Sequence, residues 1–285
     1  MKNNSKKQYG LIAIFGLLAV FCVYVLIVGG ILPHYQAKNY LKYIFSGKAD
    51  LILTDSFIFE DYPYVQFRLR SDFTRNVGGS TITGDTGIKL VDLAIDKLEN
   101  WENAPINDPT YFVSLARAYE AKGNLLKDKS FIAKAGEFYQ KAIDISPKRQ
   151  ELRYIYAGNL INQGKSDEAI QLLKEAVALA PEIPHSHFYL SIALLSRGES
   201  AYDEIFTNME FVADSGLLPQ FDQTTLKNIY GKFITYYYEK RDKDKLSQVA
   251  GRMVYIDPDQ SELYKKLVDY IGQTGQIPDI SFKEN

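Results

Sequence analysis

The sequence predicts an all-α protein, in which a single N-terminal transmembrane helix is followed by an α-solenoid of antiparallel helical hairpins. Three observations carry that expectation. Residues 11–32 form an apolar run of 22 residues without a charge. Pro147 and Pro181 lie 34 residues apart, and so do Gly164 and Gly198. Alanines recur at fixed offsets before each proline, as Ala135 and Ala142, then Ala169 and Ala176.

The apolar run reads LIAIFGLLAVFCVYVLIVGGIL. At 1.5 Å per residue a helix of this length spans about 33 Å, enough for a hydrocarbon core of roughly 30 Å. It is longer than the apolar region of a cleaved signal peptide, and Val28-Gly29-Gly30 is followed by further apolar residues. A lipoprotein signal requires small residues before its cysteine, but Phe21 precedes Cys22, the only cysteine of the chain. Gly16, Gly29 and Gly30 allow close helix packing, or are ordinary membrane glycines. Lys2, Lys6 and Lys7 favour a cytoplasmic N-terminus and an extracytoplasmic C-terminal region. Lys38, Lys42 and Lys48 on the other side weaken that bias, with Asp50 offsetting Lys48. The expected organisation is a short cytoplasmic tail over 1–10, a transmembrane helix over 11–32, a juxtamembrane helical segment over 33–108 and a repeat domain over 109–285.

Each repeated residue has a local job. Small residues let two helices cross closely, the large Tyr139 or Leu173 fills the gap beside them, and proline stops the second helix. Gly164, Gly198 and Gly275 supply the left-handed backbone at helix ends. Arg241 takes the equivalent turn position, 34 residues before Gly275, and Pro258 closes the helix after it. Leu115-Ala-Arg-Ala-Tyr119-Glu-Ala-Lys-Gly123 fits a first helix ending at Gly123. The pattern is uneven. Seven extra residues between Gly123 and Ala135 predict a longer inter-helix loop around Lys127-Asp128-Lys129. After Gly198 the small positions fall on Asp203 and Glu210, and Leu246, Ala250 and Met253 make the next hairpin bulkier. Upstream, Val91, Ala94, Ile95 and Leu98 mark one amphipathic helix, and the Gly/Ser/Thr-rich segment 75–88 reads as a flexible loop.

These spacings resemble the tetratricopeptide repeat (TPR), a 34-residue helical hairpin. Read with the apolar run, the segments HYQAKNYL, YVQFRLRSDF and AIDISPKRQELRY also look like the C-terminal membrane helix and TPR region of bacterial O-antigen ligase family proteins. That likeness implies an accessory or divided part of a multi-spanning membrane glycan transferase. The family's preceding membrane helices and catalytic loop are absent from this sequence, so the likeness implies no catalysis by this chain.

No motif for chemistry stands out, and the expectation is a non-enzyme without cofactor or metal. Gly79–Thr86 has phosphate-loop glycine spacing, but Asp85 stands where a lysine is needed. His185 and His187 alternate, which on a helix points them to different faces, and His34 is the only other histidine. Asp257-Pro-Asp259 lacks a calcium-loop glycine. Asn3-Asn-Ser5 fits a glycosylation acceptor, on the expected cytoplasmic side. The net charge of −2 gives no basic footprint for nucleic acid, and anionic lipid is a poor match for the acidic soluble part.

The function expected is therefore protein–protein interaction, with residues 11–32 in the lipid bilayer. The TPR resemblance implies that repeat positions two, five, nine and twelve line a concave groove. They map to Thr110, Val113, Arg117 and Glu120, then Glu151, Tyr154, Gly158 and Ile161, then His185, Phe188, Ile192 and Leu195. Val113, Arg117, Tyr154, His185, Phe188 and Ile192 are the partner-binding candidates, with Tyr154 and Phe188 as aromatic anchors for a protein or peptide segment. The alternative for the aromatics is packing between repeats.

Overall fold

The computed structural model describes residues 17–45, 84–101 and 104–279. Among them there is no strand. Residues 17–26 are helical and run through a π-helical turn, Ile27–Ile31, into α1 (Leu32–Phe45). Then follow α2 (Gly84–Glu99), α3 (Pro109–Leu126), α4 (Lys129–Ile145), α5 (Gln150–Asn162), α6 (Ser166–Leu179), α7 (Pro184–Leu194), α8 (Tyr202–Asp214), α9 (Gln223–Glu239), α10 (Lys243–Ile256) and α11 (Ser261–Thr274). The chain divides into two compact units, Met1–Gly164 and Lys165–Asn285.

Among the described residues no helix is long and apolar enough to cross a membrane. The expected anchor is described only from residue 17 onward. Its first residues, the N-terminal tail with Asn3–Ser5, and the YVQFRLRSDF segment all lie outside the described residues.

In the first unit α2 packs on α3, α3 on α4, and α4 on α5. The apolar stripe expected in α2 is its buried face, with Leu90, Val91, Ala94, Ile95 and Leu98 all in the core. The loop reading of 75–88 needs correction at its C-terminal end. Residues 75–83 lie outside the described residues, but α2 starts at Gly84, because Ile88, Leu90 and Val91 continue the helical apolar period.

The hairpin α3–α4 also departs from expectation. Asp128 accepts a hydrogen bond from the Ser130 amide (2.9 Å) and so starts α4 at once. Lys127 takes a left-handed conformation with φ 53°, so only two residues join the helices. The extra residues lengthen the helices instead: α3 and α4 have 18 and 17 residues, against 13 and 14 in α5 and α6. Gly123 is consequently no helix end. It lies inside α3, where a Cβ would come within 2.5 Å of Ile132 Cγ1, so its role is close approach to α4.

Elsewhere the punctuation falls where the spacing put it. Gly164 follows α5 with φ 81°, Gly275 caps α11 with φ 65°, and Arg241 has φ 56° after α9. Gly198, with φ 63°, makes the bend between α7 and α8. Pro147 follows the end of α4 and Pro181 the end of α6, while Pro258 follows α10. The crossing alanines Ala135, Ala142, Ala169 and Ala176 are fully buried.

In the second unit α6 packs on α7, α7 on α8, α9 on α10, and α10 on α11. Asp203 and Glu210, the residues that break the repeat pattern, bond to the following hairpin. Asp203 accepts from Lys245 Nζ (2.6 Å) and from the Tyr237 hydroxyl (3.1 Å). Glu210 is buried and accepts from Arg252 (2.9 Å) and Gln248 (2.6 Å). A carboxylate replaces a close helix contact with a polar tie.

Because Ala142 and Ala176 are fully buried at helix crossings, Ala142→Leu and Ala176→Leu should each lower stability by roughly 1–3 kcal/mol. Thermal melting of the two variants checks this. Unchanged melting for both would contradict the crossing geometry.

Candidate functional site

The described residues of the first unit hold a cleft of about 550 Å³ between α3 and α5, with Tyr139 of α4 at its base. Its walls are two helical stripes. Arg117, Glu120, Ala121 and Asn124 come from α3, and Ile155, Gly158, Asn159, Ile161 and Asn162 from α5. The four α3 residues, and Ile155, Gly158, Asn159 and Asn162 of α5, follow the spacing i, i+3, i+4, i+7, which puts them on one face, with Ile161 at its edge.

Glu120 organises the polar part. One of its oxygens accepts from the Tyr139 hydroxyl at 3.0 Å. The other accepts from the side-chain amides of Asn159 (3.2 Å) and Asn162 (3.1 Å). Asn159 also donates to the Ile132 carbonyl (3.1 Å), and its oxygen accepts from Gln163 (2.7 Å). Asn159 is thus saturated by protein partners. Asn124 and Asn162 are exposed at the rim. Arg117 is half-exposed and interacts with the Tyr139 hydroxyl.

Tyr139 is buried to 1% exposure, and burial pushes its hydroxyl well above the usual tyrosine range. The Glu120 charge and hydrogen bond push in the same direction, while the Arg117 guanidinium opposes them. The hydroxyl therefore stays protonated as a donor to Glu120. The arrangement can bind and orient polar groups.

The six sequence candidates separate in the structure. Arg117 lines the cleft, as do the groove positions Glu120, Gly158 and Ile161. Val113 does not: it is buried in α3. Tyr154 is half-buried and does not line the cleft. In the second unit Phe188 is 4% exposed and stacks on Phe221 with ring centres 4.0 Å apart. His185 lies against the same ring at 4.9 Å, and Ile192 is half-buried. Phe188 is buried among rings, in line with the packing alternative, and Val113 is buried too. An apolar side chain that finds a ring or a helix to cover it leaves water. His187 is held between the Pro181 carbonyl (2.9 Å) and Asn208 (2.6 Å), a structural role. No metal-binding cluster occurs among the described residues.

Sequence reasoning misses Asn124, Asn159 and Asn162. The signal is present as the stripe Ile155, Gly158, Asn159, Asn162 facing Arg117, Glu120, Asn124, but reading it requires the pairing of α3 with α5.

Residues 132–196 match the family model of the tetratricopeptide repeat. No curated protein matches the chain. Among solved structures it is similar to TTC0263, a thermophilic TPR protein of Thermus thermophilus, at 18% identity over 71% of this chain and 99% of that one, with a TM-score of 0.45. It is similar to MamA of AMB-1, at 16% identity over 72% and 97%, with a TM-score of 0.41. It is also similar to YrrB, a TPR protein with an unusual peptide-binding site, at 19% identity over 68% and 98%, with a TM-score of 0.37.

The raised Tyr139 hydroxyl has a pH consequence. A group whose folded pKa lies above its unfolded value of about 10 stabilises below that pH, and the contribution is lost as pH rises beyond it. Tyr139→Phe should therefore be less stable than wild type at pH 7, by about 1 kcal/mol for the lost hydrogen bond. The gap should close above a pH of about 10. Denaturant unfolding of both proteins across this range checks it, and a gap that stays constant would contradict the assignment.

Proposed function

We propose that this protein is a membrane-anchored TPR-type interaction module that holds a partner protein segment in the cleft between α3 and α5. It works by binding rather than by catalysis. The observation that carries this reading is the cleft itself. Glu120 orients the Asn159 and Asn162 amides and Arg117 lies against the Tyr139 hydroxyl, while Asn124 and Asn162 stay exposed along the cleft. The TPR match over residues 132–196 supports an interaction role.

Anchoring rests on the uncharged run 11–32 and on its described part. Leu17 (72% exposed) and Val20 (69%) carry their side chains outward, and so do Leu18, Phe21, Val23, Tyr24 and Leu26. Apolar surface on every side of a helix is unfavourable in water and favourable in lipid. The three lysines before the run favour a cytoplasmic N-terminus and an extracytoplasmic repeat region.

Two measurements test this. A photo-crosslinking residue at Ile161, in the full chain in its membrane, should yield a partner adduct that Arg117→Ala removes. Loss of a central arginine contact typically weakens binding by about 2 kcal/mol, roughly thirtyfold. A crosslinker at exposed Tyr255 in the second unit serves as the comparison. Equal adducts from both positions, or none from position 161, would place the partner elsewhere. For topology, protease added to intact spheroplasts should digest the repeat region. Protection until lysis would reverse the orientation.

A further inference from the structure

Histidine has two ring nitrogens, and a neutral imidazole carries a hydrogen on only one of them. At His187, near the start of α7, both nitrogens face acceptors. Nε2 lies 2.9 Å from the Pro181 carbonyl in the turn after α6. Nδ1 lies 2.6 Å from Asn208 Oδ1 on α8. The Asn208 side chain cannot offer its nitrogen instead, because that nitrogen donates to the Glu204 carbonyl (2.8 Å), which only accepts. Both contacts are hydrogen bonds only when the ring carries two N–H groups, as imidazolium. Phe211 favours the same form. Its ring centre lies 4.3 Å from that of His187, and an aromatic face attracts a cation. The preceding repeat makes the equivalent bond with a permanent charge. Arg153 stands 34 residues before His187 and donates to the Pro147 carbonyl at 2.6 Å, again six residues back. A guanidinium keeps its proton in a protein.

We propose that His187 is a proton-operated latch: its imidazolium ties the turn after α6 to α8, and loss of the proton releases one of the two ties. The latch is independent of what the cleft of the first unit binds. The charges on the elements packed against α7 are largely engaged with one another. On α8, Asp203 bonds to Lys245, Glu204 to Lys174, and Glu210 and Asp214 to Arg252. On α6, Asp167 pairs with Arg197 and Glu168 with Lys165. Glu175 of α6, Glu182 of the turn and Glu199 of the bend after α7 are exposed to solvent. His185 lies against Phe221, and Asp222 beside that ring caps α9. His187 is thus the group whose charge decides whether the two contacts hold. It is half-buried, so solvent can deliver and remove the proton. A bound proton that stabilises the fold gives stability present in acid and lost as pH rises through the histidine range, between about 5 and 8. At the acid end the turn, α7 and α8 are tied together. At the alkaline end the start of α7 opens locally.

Hydrogen–deuterium exchange of the full chain in detergent micelles, corrected for intrinsic exchange rates, reads the latch. The comparison is between about pH 5.5 and about pH 8, either side of the histidine range. Opening of the amides in residues 183–191 and 204–211 should increase by about tenfold or more across it, the effect of one lost hydrogen bond to a charged group. His187→Gln has no titratable ring and should open readily at both pH values, without the step. Residues 150–158, where Arg153 makes the equivalent bond, should show no step in either protein. Isotope-labelled histidine gives the protonation state by NMR, with the His187 signals recognised by their contacts to Phe211. Both ring nitrogens should carry hydrogen at the lower pH, and one should lose it over the interval of the exchange step. Should His187→Gln not fold, the wild-type coincidence of ring titration and exchange decides alone. A wild type without the step, a step that survives His187→Gln, or a ring that loses its proton where exchange does not change would each overturn the latch. A step of equal size in residues 150–158 would overturn it too, because the pH dependence would then belong to the repeats as a whole.

Discussion

The Glu120 carboxylate holds three helices at one point. It lies on α3 and receives a hydroxyl from α4 and two amides from α5. Hydrogen bonds to a charged group contribute about 1.5–3 kcal/mol each, more than neutral ones. Their geometric effect matters more here. Tyr139 fills the crossing of α4 at 1% exposure, so the position of its hydroxyl is fixed by packing. Glu120 is fixed in turn, and through it the two asparagines. The amide orientations in the cleft thus descend from one buried ring. Asn159 extends the chain to the Ile132 carbonyl in α4, which sits beside the close approach at Gly123. Replacing Glu120 by an apolar residue would leave the Tyr139 donor buried without a partner, the costly case for a polar group.

The second unit uses the same device with charges on both sides. Asp203 and Glu210 stand on α8 where the repeat pattern places small residues, and both reach α10. Lys245 holds the Asp203 carboxyl below the usual range through their hydrogen bond, with Tyr237 adding to it. That pair is largely exposed, and exposed pairs contribute little. Glu210 is different. It is nearly buried, and Arg252, Gln248 and Tyr230 all direct donors at it. Losing Arg252 would leave a buried charge undercompensated, which is costly.

Residues with a local duty were legible in the sequence. A proline that ends a helix, a glycine that turns left-handed and an alanine that permits a crossing all act within their own segment, so spacing alone located them. Even Arg241, a non-glycine at a left-handed position, could be placed by its offset from Gly275. Residues whose role depends on distant chain were not legible. Gly123 looked like a helix end because Lys127 can adopt the left-handed conformation beyond the expected stop, and Asp128 is free to cap the next helix. Phe188 occupied a groove position by repeat count, but the repeat gives the direction of a side chain and not what covers it. Phe221, from the segment before α9, covers it. The asparagines of the cleft have no helix-making duty at all. Their meaning appears only once α5 lies against α3.

We propose that the partner segment docks in the Glu120-organised cleft of the first unit. Hydrogen–deuterium exchange on the full chain, with and without a peptide selected on it from a library of random peptides, tests this most directly, because the readout covers every amide at once. Docking in the cleft should add protection in residues 117–124 and 155–162 and leave the helices of residues 165–285 unchanged. Protection concentrated in α7, α9 or α11 while the stripes around Arg117 and Asn162 exchange as before would contradict it.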